Sequence, residues 1–282
     1  MDRVAAHDVV ADLRRWIADH HQVVLLTGAG CSTASGIPDY RDAQGDWKRQ
    51  PPVMFQAFRT QESTYRRYWA RAFAGWPRFM AAEPGAAHHA LAAWQQEGSL
   101  ARLITQNVDG LHQRAGSRNV IDLHGRLDVV VCLTCRDRTS RSSVQDAMAA
   151  ANSQWNASAA AAPDGDADID SAAIESFEPP HCRQCGGLLK PDVVFFGENV
   201  PAARYEQARD AVAAADAVLV AGSSLMVYSG FRFVQQAHDA GLPIAIVNRG
   251  RTRGDELATL KVEGDVGTLL TQVIGRLAPE AP

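Results

Sequence analysis

The 282-residue sequence lacks any excess of positive charge. Its 28 Lys and Arg stand against 32 Asp and Glu, for a formal net charge of -4 at pH 7. Proteins that grip nucleic acid by its phosphates need a basic face, so no direct nucleic-acid partner is expected. No apolar run approaches the ~20 residues that span a bilayer, so no membrane partner is expected either. Residues 1–17 carry Asp2, Arg3, Asp8, Asp12, Arg14 and Arg15 among apolar residues. That is an amphipathic helix pattern, not the uncharged apolar core of a secretory signal, and the expected compartment is the cytoplasm. Cysteine is scarce and odd in number: Cys31, Cys132, Cys135, Cys182 and Cys185. With no secretory signal, that count argues against a disulfide framework. No internal repeat is visible.

Hydrophobic residues make up 46% of the chain, enough for a sizeable core. Short apolar runs at 23–26, 100–105, 120–123, 217–221 and 243–247 read as buried strands, with a further short piece at 257–261. Helical patterns at 4–20, 88–97, 205–215, 231–240 and 266–276 fall between them, with Gly98 and Gly241 as stops. Strands alternating with helices predict an α/β fold with a doubly wound, mostly parallel, Rossmann-like sheet. Residues 53–79 carry Tyr65, Tyr68, Trp69, Phe73, Trp76 and Phe79 at helical spacing, which predicts one or two amphipathic helices with packing rings. Residues 42–50 read as a polar loop closed by Pro51 and Pro52. Residues 152–170, rich in Ala, Asp and Ser, read as a flexible surface insertion solvated by Asp164, Asp166, Asp168 and Asp170.

The chain is organised around the run from Val23 to Ser32. A buried strand leads directly into Gly28-Ala29-Gly30, where small residues let the backbone turn tightly and approach a ligand. Free amides at a following helix start favour a phosphate. The spacing is not the usual dinucleotide fingerprint, because no glycine falls three residues after Gly30; the next is Gly36. A plain strand-to-helix turn is the alternative. Other strand ends carry polar clusters, where open α/β sheets bind ligands. Gln106-Asn107-Val108-Asp109 follows one run and His124-Gly125 another. Gly222-Ser223-Ser224 and Asn248-Arg249-Gly250 follow two more. A histidine facing a cleft can act as a general base, although a single histidine can equally be structural. Gly222-Ser223-Ser224 offers amides and hydroxyls to a phosphate or makes an ordinary turn.

The cysteine pairs are the most specific feature. Cys132-x-x-Cys135 and Cys182-x-x-Cys185 offer four thiolates, a set that favours a closed, structural Zn2+ site. Their separation exceeds the ~15–20 residues of a compact zinc ribbon, which suits a three-stranded module carrying the 152–170 insertion. A redox pair or unpaired buried thiols are the alternatives.

In order, the glycine loop, Gly36-Ile37-Pro38-Asp39-Tyr40-Arg41, Gln106 to Asp109, His124-Gly125, the two cysteine pairs, Phe196-Gly197-Glu198, Gly222-Ser223-Ser224 and Asn248 closely resemble the sirtuins, NAD-dependent protein deacylases. Pro38-Asp39-Tyr40-Arg41, Tyr68-Trp69-Ala70-Arg71, Gly75-Trp76-Pro77 and Val227-Tyr228-Ser229-Gly230 resemble class II members. The resemblance implies an NAD-binding domain over 1–50, 99–125 and 190–282. It implies a helical insertion of the small domain over 51–98 and a zinc-binding module over 126–189. Gly28, Ala29 and Gly30 would lie against the pyrophosphate of NAD, with Asp39, Tyr40 and Arg41 on the nicotinamide-ribose side. Gln106, Asn107, Val108 and Asp109 would line the nicotinamide pocket, Asn107 holding ribose or water and Asp109 the carboxamide. His124 would be the general base on a ribose hydroxyl. Gly222, Ser223 and Ser224 would bind phosphate, Asn248, Arg249 and Gly250 the adenosine ribose, and Val266 the adenine. Val193, Val194, Phe195 and Phe196 would form the edge on which an acyl-lysine peptide lies as an added strand.

The implied reaction consumes NAD and gives nicotinamide, O-acyl-ADP-ribose and free lysine. Protein mono-ADP-ribosyl transfer, or a non-catalytic NAD-sensing zinc scaffold, are the competing readings. Three features bear on the substrate. Tyr40 stands where best-studied members carry phenylalanine, Tyr228 and Ser229 follow Val227 where they carry a proline, and Tyr68 with Arg71 has the spacing that reads acidic acyl groups in class III, with packing as the default role of this pair. Cys31 is expected to be a small buried residue more than an oxidation-sensitive thiol.

Overall fold

The computed structural model describes residues 8–39, 53–155, 160–161, 167–168 and 171–274. Helix α1 (Val9–Ala18) starts where the Asp8 carboxylate accepts the Val10 and Ala11 amides, at 3.2 Å each. Strand β1 (Val23–Thr27) follows. Helices α2 (Phe55–Thr60) and α3 (Glu62–Met80) then divide the aromatic segment, and α4 (Ala86–Glu97) stops at Gly98, whose φ is +96°. Next come β2 (Leu100–Thr105), the short α5 (Leu111–Arg114), β3 (Val120–Asp122), β4 (Gly125–Cys132), β5 (Arg138–Ser140) and α6 (Arg141–Ala151). The pieces β6 (Ala160–Ala161), β7 (Ala167–Asp168) and α7 (Ser171–Glu175) precede β8 (Leu189–Val193). The chain closes with α8 (Ala202–Ala213), β9 (Ala217–Ala221), α9 (Tyr228–Asp239), β10 (Ile244–Asn248), β11 (Leu260–Glu263) and α10 (Val266–Ile274).

Six strands form one wholly parallel sheet in the order β3-β2-β1-β9-β10-β11. Renumbered within the sheet this is 3-2-1-4-5-6, the doubly wound arrangement whose order reverses between its first and fourth strands. Both faces are covered, so the strands read as continuous apolar runs. The pleat sends alternate residues to opposite sides. Val23, Leu25, Leu219 and Val247 join α1, α4 and α10 in one core. Val24, Leu26, Val220 and Ile246 join α8 and α9 in the other. Thr27 pairs with both Thr105 and Ala221, and Thr105 with Asp122, so the loops after β1, β2, β3 and β9 leave along one edge.

Between β3 and β9 the chain builds a smaller body. Its antiparallel sheet, β5-β4-β8, packs with α2, α3 and α6 around Phe58, Trp69, Val130, Met148 and Phe177. Polar ties sew the helices to this sheet: the Trp69 indole donates to Leu189 O at 3.2 Å, and the Tyr65 hydroxyl donates to Pro180 O at 2.6 Å. Helix α4 falls within the expected 51–98 insertion. Leu91 and Trp94 are fully buried against β1, β2 and α10, so that helix belongs to the large sheet's core. Helix α9 begins three residues before the expected 231, and 257–261 divides into a 3-10 turn, Asp255–Leu257, and β11. Among the described residues no helix is long and apolar enough to cross a membrane.

Candidate functional site

Where the sheet order reverses, the loops after β1 and β9 interlock. The Gly30 amide donates to Gly222 O at 2.8 Å, and Gly28 donates to Ala221 O at 3.2 Å. A Cβ on Gly30 would lie 2.8 Å from Gly222 Cα, and Gly222 holds φ +64°. Only glycine allows both the contact and that conformation. Nearby, Leu225 also sits at φ +58°, a strained conformation for leucine, pinned by its amide bond to Ser223 Oγ at 3.2 Å.

A cavity of about 790 Å3 opens above this junction. Gly28, Ala29, Gly30, Asp39, Gln106, Asn107, Val108, Asp109, His124, Val193, Val194, Phe195, Phe196, Gly222, Ser223, Ser224, Asn248, Arg249 and Val266 all line it. Gly250 does not line the cavity; its amide donates to Glu263 at 3.2 Å, which ties the β10 loop to β11. Tyr40 and Arg41 lie outside the described residues. Tyr68 lines the cavity and Arg71 does not.

His124 sits in the turn between β3 and β4. Its Nδ1 lies 3.0 Å from Gln106 O. A carbonyl only accepts, so Nδ1 carries the proton and Nε2 is the basic atom, its lone pair accepting from the Ser229 hydroxyl. The Ser229 hydroxyl lies 2.8 Å from that Nε2. Burial pushes the His124 pKa down to about 4, opposed by the Gln106 carbonyl and assisted by Arg204. The imidazole is therefore neutral at physiological pH.

Ser223 fits an anionic ligand. Its Oγ accepts from Gln106 Nε2 at 2.8 Å and from the Leu225 amide. Both lone pairs are then used, which leaves the O–H proton to donate. The interlocked glycines beside it permit a phosphate to approach the backbone.

Behind the loop lies a polar network. Ser32 Oγ donates to Asp109 Oδ2 at 2.7 Å and accepts from Asn107 Nδ2 at 3.0 Å. His88 Nε2 lies 3.4 Å from the same oxygen, and Gly85 N donates to His88 Nδ1 at 3.1 Å, which leaves Nε2 as the donor. His112 stacks edge-on to His88 and meets Thr27 Oγ1 at 3.0 Å. Burial lowers the pKa of His88, and burial with the nearby His88 takes His112 down to about 3. These histidines stay neutral in the native state while the unfolded chain protonates below about pH 6.5. Native stability is thus full above that pH and falls below it, by about 1.4 kcal/mol per pH unit for each such group until its folded pKa is reached. The thermal midpoint is expected to hold between pH 7 and 8 and drop between pH 6.5 and 5. A midpoint that stays level across that lower window would refute the neutral assignment.

The family model for the Sir2 family matches residues 28–229. This chain belongs to the Sir2 family. It is 62% identical over 264 residues to the NAD-dependent protein deacetylase of Xanthomonas axonopodis pv. citri, covering 93% of this chain and 90% of that one. It is 55% identical over 263 residues to the NAD-dependent protein deacetylase of Bordetella bronchiseptica, covering 93% and 96%. A solved Sir2–p53 peptide–NAD+ complex superposes with a TM-score of 0.75 at 32% identity, over 94% of this chain and 97% of that one.

In this Sir2 chain the four paired thiols converge at one end of the small body, with all Sγ atoms within 4.8 Å of one another. Cys132 Sγ lies 3.6 Å from Cys185 Sγ, and Cys135 Sγ 3.7 Å from Cys182 Sγ. A tetrahedron with Zn–S bonds of about 2.3 Å has edges of about 3.8 Å, so the residues fit zinc. Cys31 is not part of this cluster. It is buried, donates to Ala221 O at 3.4 Å, and has its pKa raised to about 12 by burial and by Asp109. A thiol so rarely ionised is inert, in line with its packing role.

Sequence reasoning missed Ser32, His88, His112 and Thr27 as parts of the site. Ser32 lies in the glycine loop and could have been found there. The two histidines come from segments far along the chain, and only the fold brings them to the loop.

Proposed function

We propose that this chain is an NAD-dependent protein-lysine deacetylase giving nicotinamide, O-acyl-ADP-ribose and free lysine. The observation that carries the proposal is His124, a neutral imidazole fixed by Gln106 with Nε2 as the basic atom, in a cavity at the sheet's order reversal. Bound there, NAD would supply an activated glycosidic carbon with nicotinamide as its leaving group. Gly28, Ala29, Gly30, Gly222, Ser223 and Ser224 cradle its phosphates. Asp39, Tyr40 and Arg41 attend the nicotinamide ribose. Gln106, Asn107, Val108 and Asp109 form the nicotinamide pocket. Asn248, Arg249, Gly250 and Val266 take the adenosine end. His124 Nε2 removes the proton of a ribose hydroxyl, and the apolar walls keep out all but the reacting water.

The acyl-lysine segment lies along Val193, Val194, Phe195 and Phe196 as an added strand. That edge is braced from behind: Lys190 Nζ donates to Val193 O at 2.6 Å and to Glu198 Oε2 at 2.8 Å, and the same carboxylate accepts the Phe195 amide. Cys132, Cys135, Cys182 and Cys185 hold one structural zinc. We assign the reaction to the cytoplasm, where such thiolates remain reduced.

The test follows labelled NAD with the full chain and an acetyl-lysine peptide. Nicotinamide release that requires the peptide, with label appearing in O-acetyl-ADP-ribose, is the expected result. Label retained on protein, or nicotinamide release indifferent to the peptide, would replace this reading with ADP-ribosyl transfer or hydrolysis.

A further inference from the structure

The charges lining the cavity are four carboxylates and two guanidiniums, and one of the guanidiniums stands apart from the carboxylates. Among the described residues they are Asp39, Asp109, Glu198, Arg232, Arg249 and Asp265. Asp109 accepts from Ser32 and the Leu111 amide, Glu198 is paired with Lys190, and Arg249 lies 3.0 Å from Asp265. Arg232 is the lining cation without a carboxylate partner among the described residues. Its guanidinium is held by rings instead, 4.6 Å from the Tyr205 centroid and 5.2 Å from that of Tyr228. A second cation, Arg253, lies 5.6 Å from the Tyr228 centroid and 4.4 Å from that of Phe231. Tyr228 remains 52% exposed at the mouth. Two guanidiniums on one exposed ring repel each other. Ring faces relieve part of that cost, and an anion between them would relieve more.

We propose that Arg232, with Arg253 beside it, selects acyl-lysine segments that carry an acidic side chain close to the modified lysine. The proposal rests on the deacetylase reading and deepens it. The stack on Tyr205 ties Arg232 to α8, which packs against β3 and α9. Helix α8 (Ala202–Ala213) begins six residues after Phe196, the last residue of the edge where the peptide strand is assigned. Arg249 and Val266, assigned to the adenosine, follow β10 and β11 at the other end of the sheet order. Arg232 therefore belongs to the peptide side, whereas Arg253, on the loop after β10, meets it only across the Tyr228 ring. A guanidinium held flat by rings offers its fork of donors to a carboxylate with little rotamer entropy left to lose.

The experiment compares three acetyl-lysine peptides, identical except for Glu, Gln or Lys at the residues flanking the modified lysine. The quantity read is the ratio of kcat/KM values for the Glu and Lys peptides. An inactive fraction of enzyme cancels from this ratio, so a partly misfolded variant still reports. The wild-type ratio is expected at about 3- to 10-fold in favour of Glu, shrinking as salt shortens the screening length. R232Q should bring it close to one and R232E should invert it, with R253Q, at an exposed position, falling between. A wild-type ratio near one would overturn the proposal while leaving the deacetylase reading intact. So would an R232Q variant whose KM rises for NAD while the peptide ratio stays unchanged, because the guanidinium would then serve the nucleotide phosphates. Failure to deacetylate even the Gln peptide would overturn both readings.

Discussion

Alanine at position 124 is expected to lower deacetylation by a factor of ~100 or more while NAD still binds. General bases contribute about 10²- to 10⁴-fold, and among the described residues lining the cavity there is no second histidine. Gln106 O fixes Nδ1 as the protonated nitrogen, which leaves Nε2 as the basic atom. The contacts on the proposed phosphate side, Gly30 with Gly222 and Gln106 with Ser223, do not pass through the ring and survive its removal. Calorimetric titration of NAD separates the two effects: affinity should change little as turnover collapses. Near-normal turnover in the folded variant would remove His124 from the mechanism. The pH profile offers an independent check. With its pKa near 4, His124 stays a competent base well below pH 6.5. The acid limb of kcat/KM in the free enzyme, read from initial rates at a temperature where the fold persists, should therefore fall near pH 4 to 5. A limb centred at the ordinary histidine value would mean the ring is more solvated than its geometry indicates.

The large sheet was legible because its physics is local. β1, β9 and β10 are buried on both faces, so each appears as a short apolar run, and the residue after each run falls at the ligand-binding edge. That is why Gly28, Gly222 and Asn248 could be placed from sequence. The start of α9 was not legible, because its N-cap, Val227, makes no side-chain cap bond and leaves no signature. The allegiance of α4 was hidden for another reason. Its apolar stripe shows that one face is buried, but not whether it packs on the large sheet or on the small body. The Ser32–His88–His112 network required contacts between residues distant in sequence, which periodicity does not carry. Ser229 was visible as a departure from the family pattern, and its hydrogen bond to the base appears only once α9 is set beside the β3–β4 turn.

Stripping the metal is expected to have the largest effect on stability. Structural zinc in thiolate sites contributes about 10–16 kcal/mol of apparent binding free energy at pH 7, comparable to the roughly 5–15 kcal/mol that stabilises a whole domain. Cys132 and Cys182 are embedded in the small body's core with Trp69, Val130 and Phe177. Neither core of the large sheet contains any of the four ligands. Chelation, or Cys182→Ser, should therefore melt the small body while the parallel sheet keeps most of its helical signal in circular dichroism. Activity should be lost all the same, because two strands connect the thiols to the site. β4 runs from the residue after His124 to Cys132, and β8 ends at Val193, the first residue of the proposed peptide edge. Elemental analysis of unstripped protein should find one zinc per chain. A metal-free chain with an unchanged thermal midpoint would show instead that the thiols pack without an ion. Loss of activity on oxidation, restored by a reductant in the absence of zinc, would identify them as redox pairs.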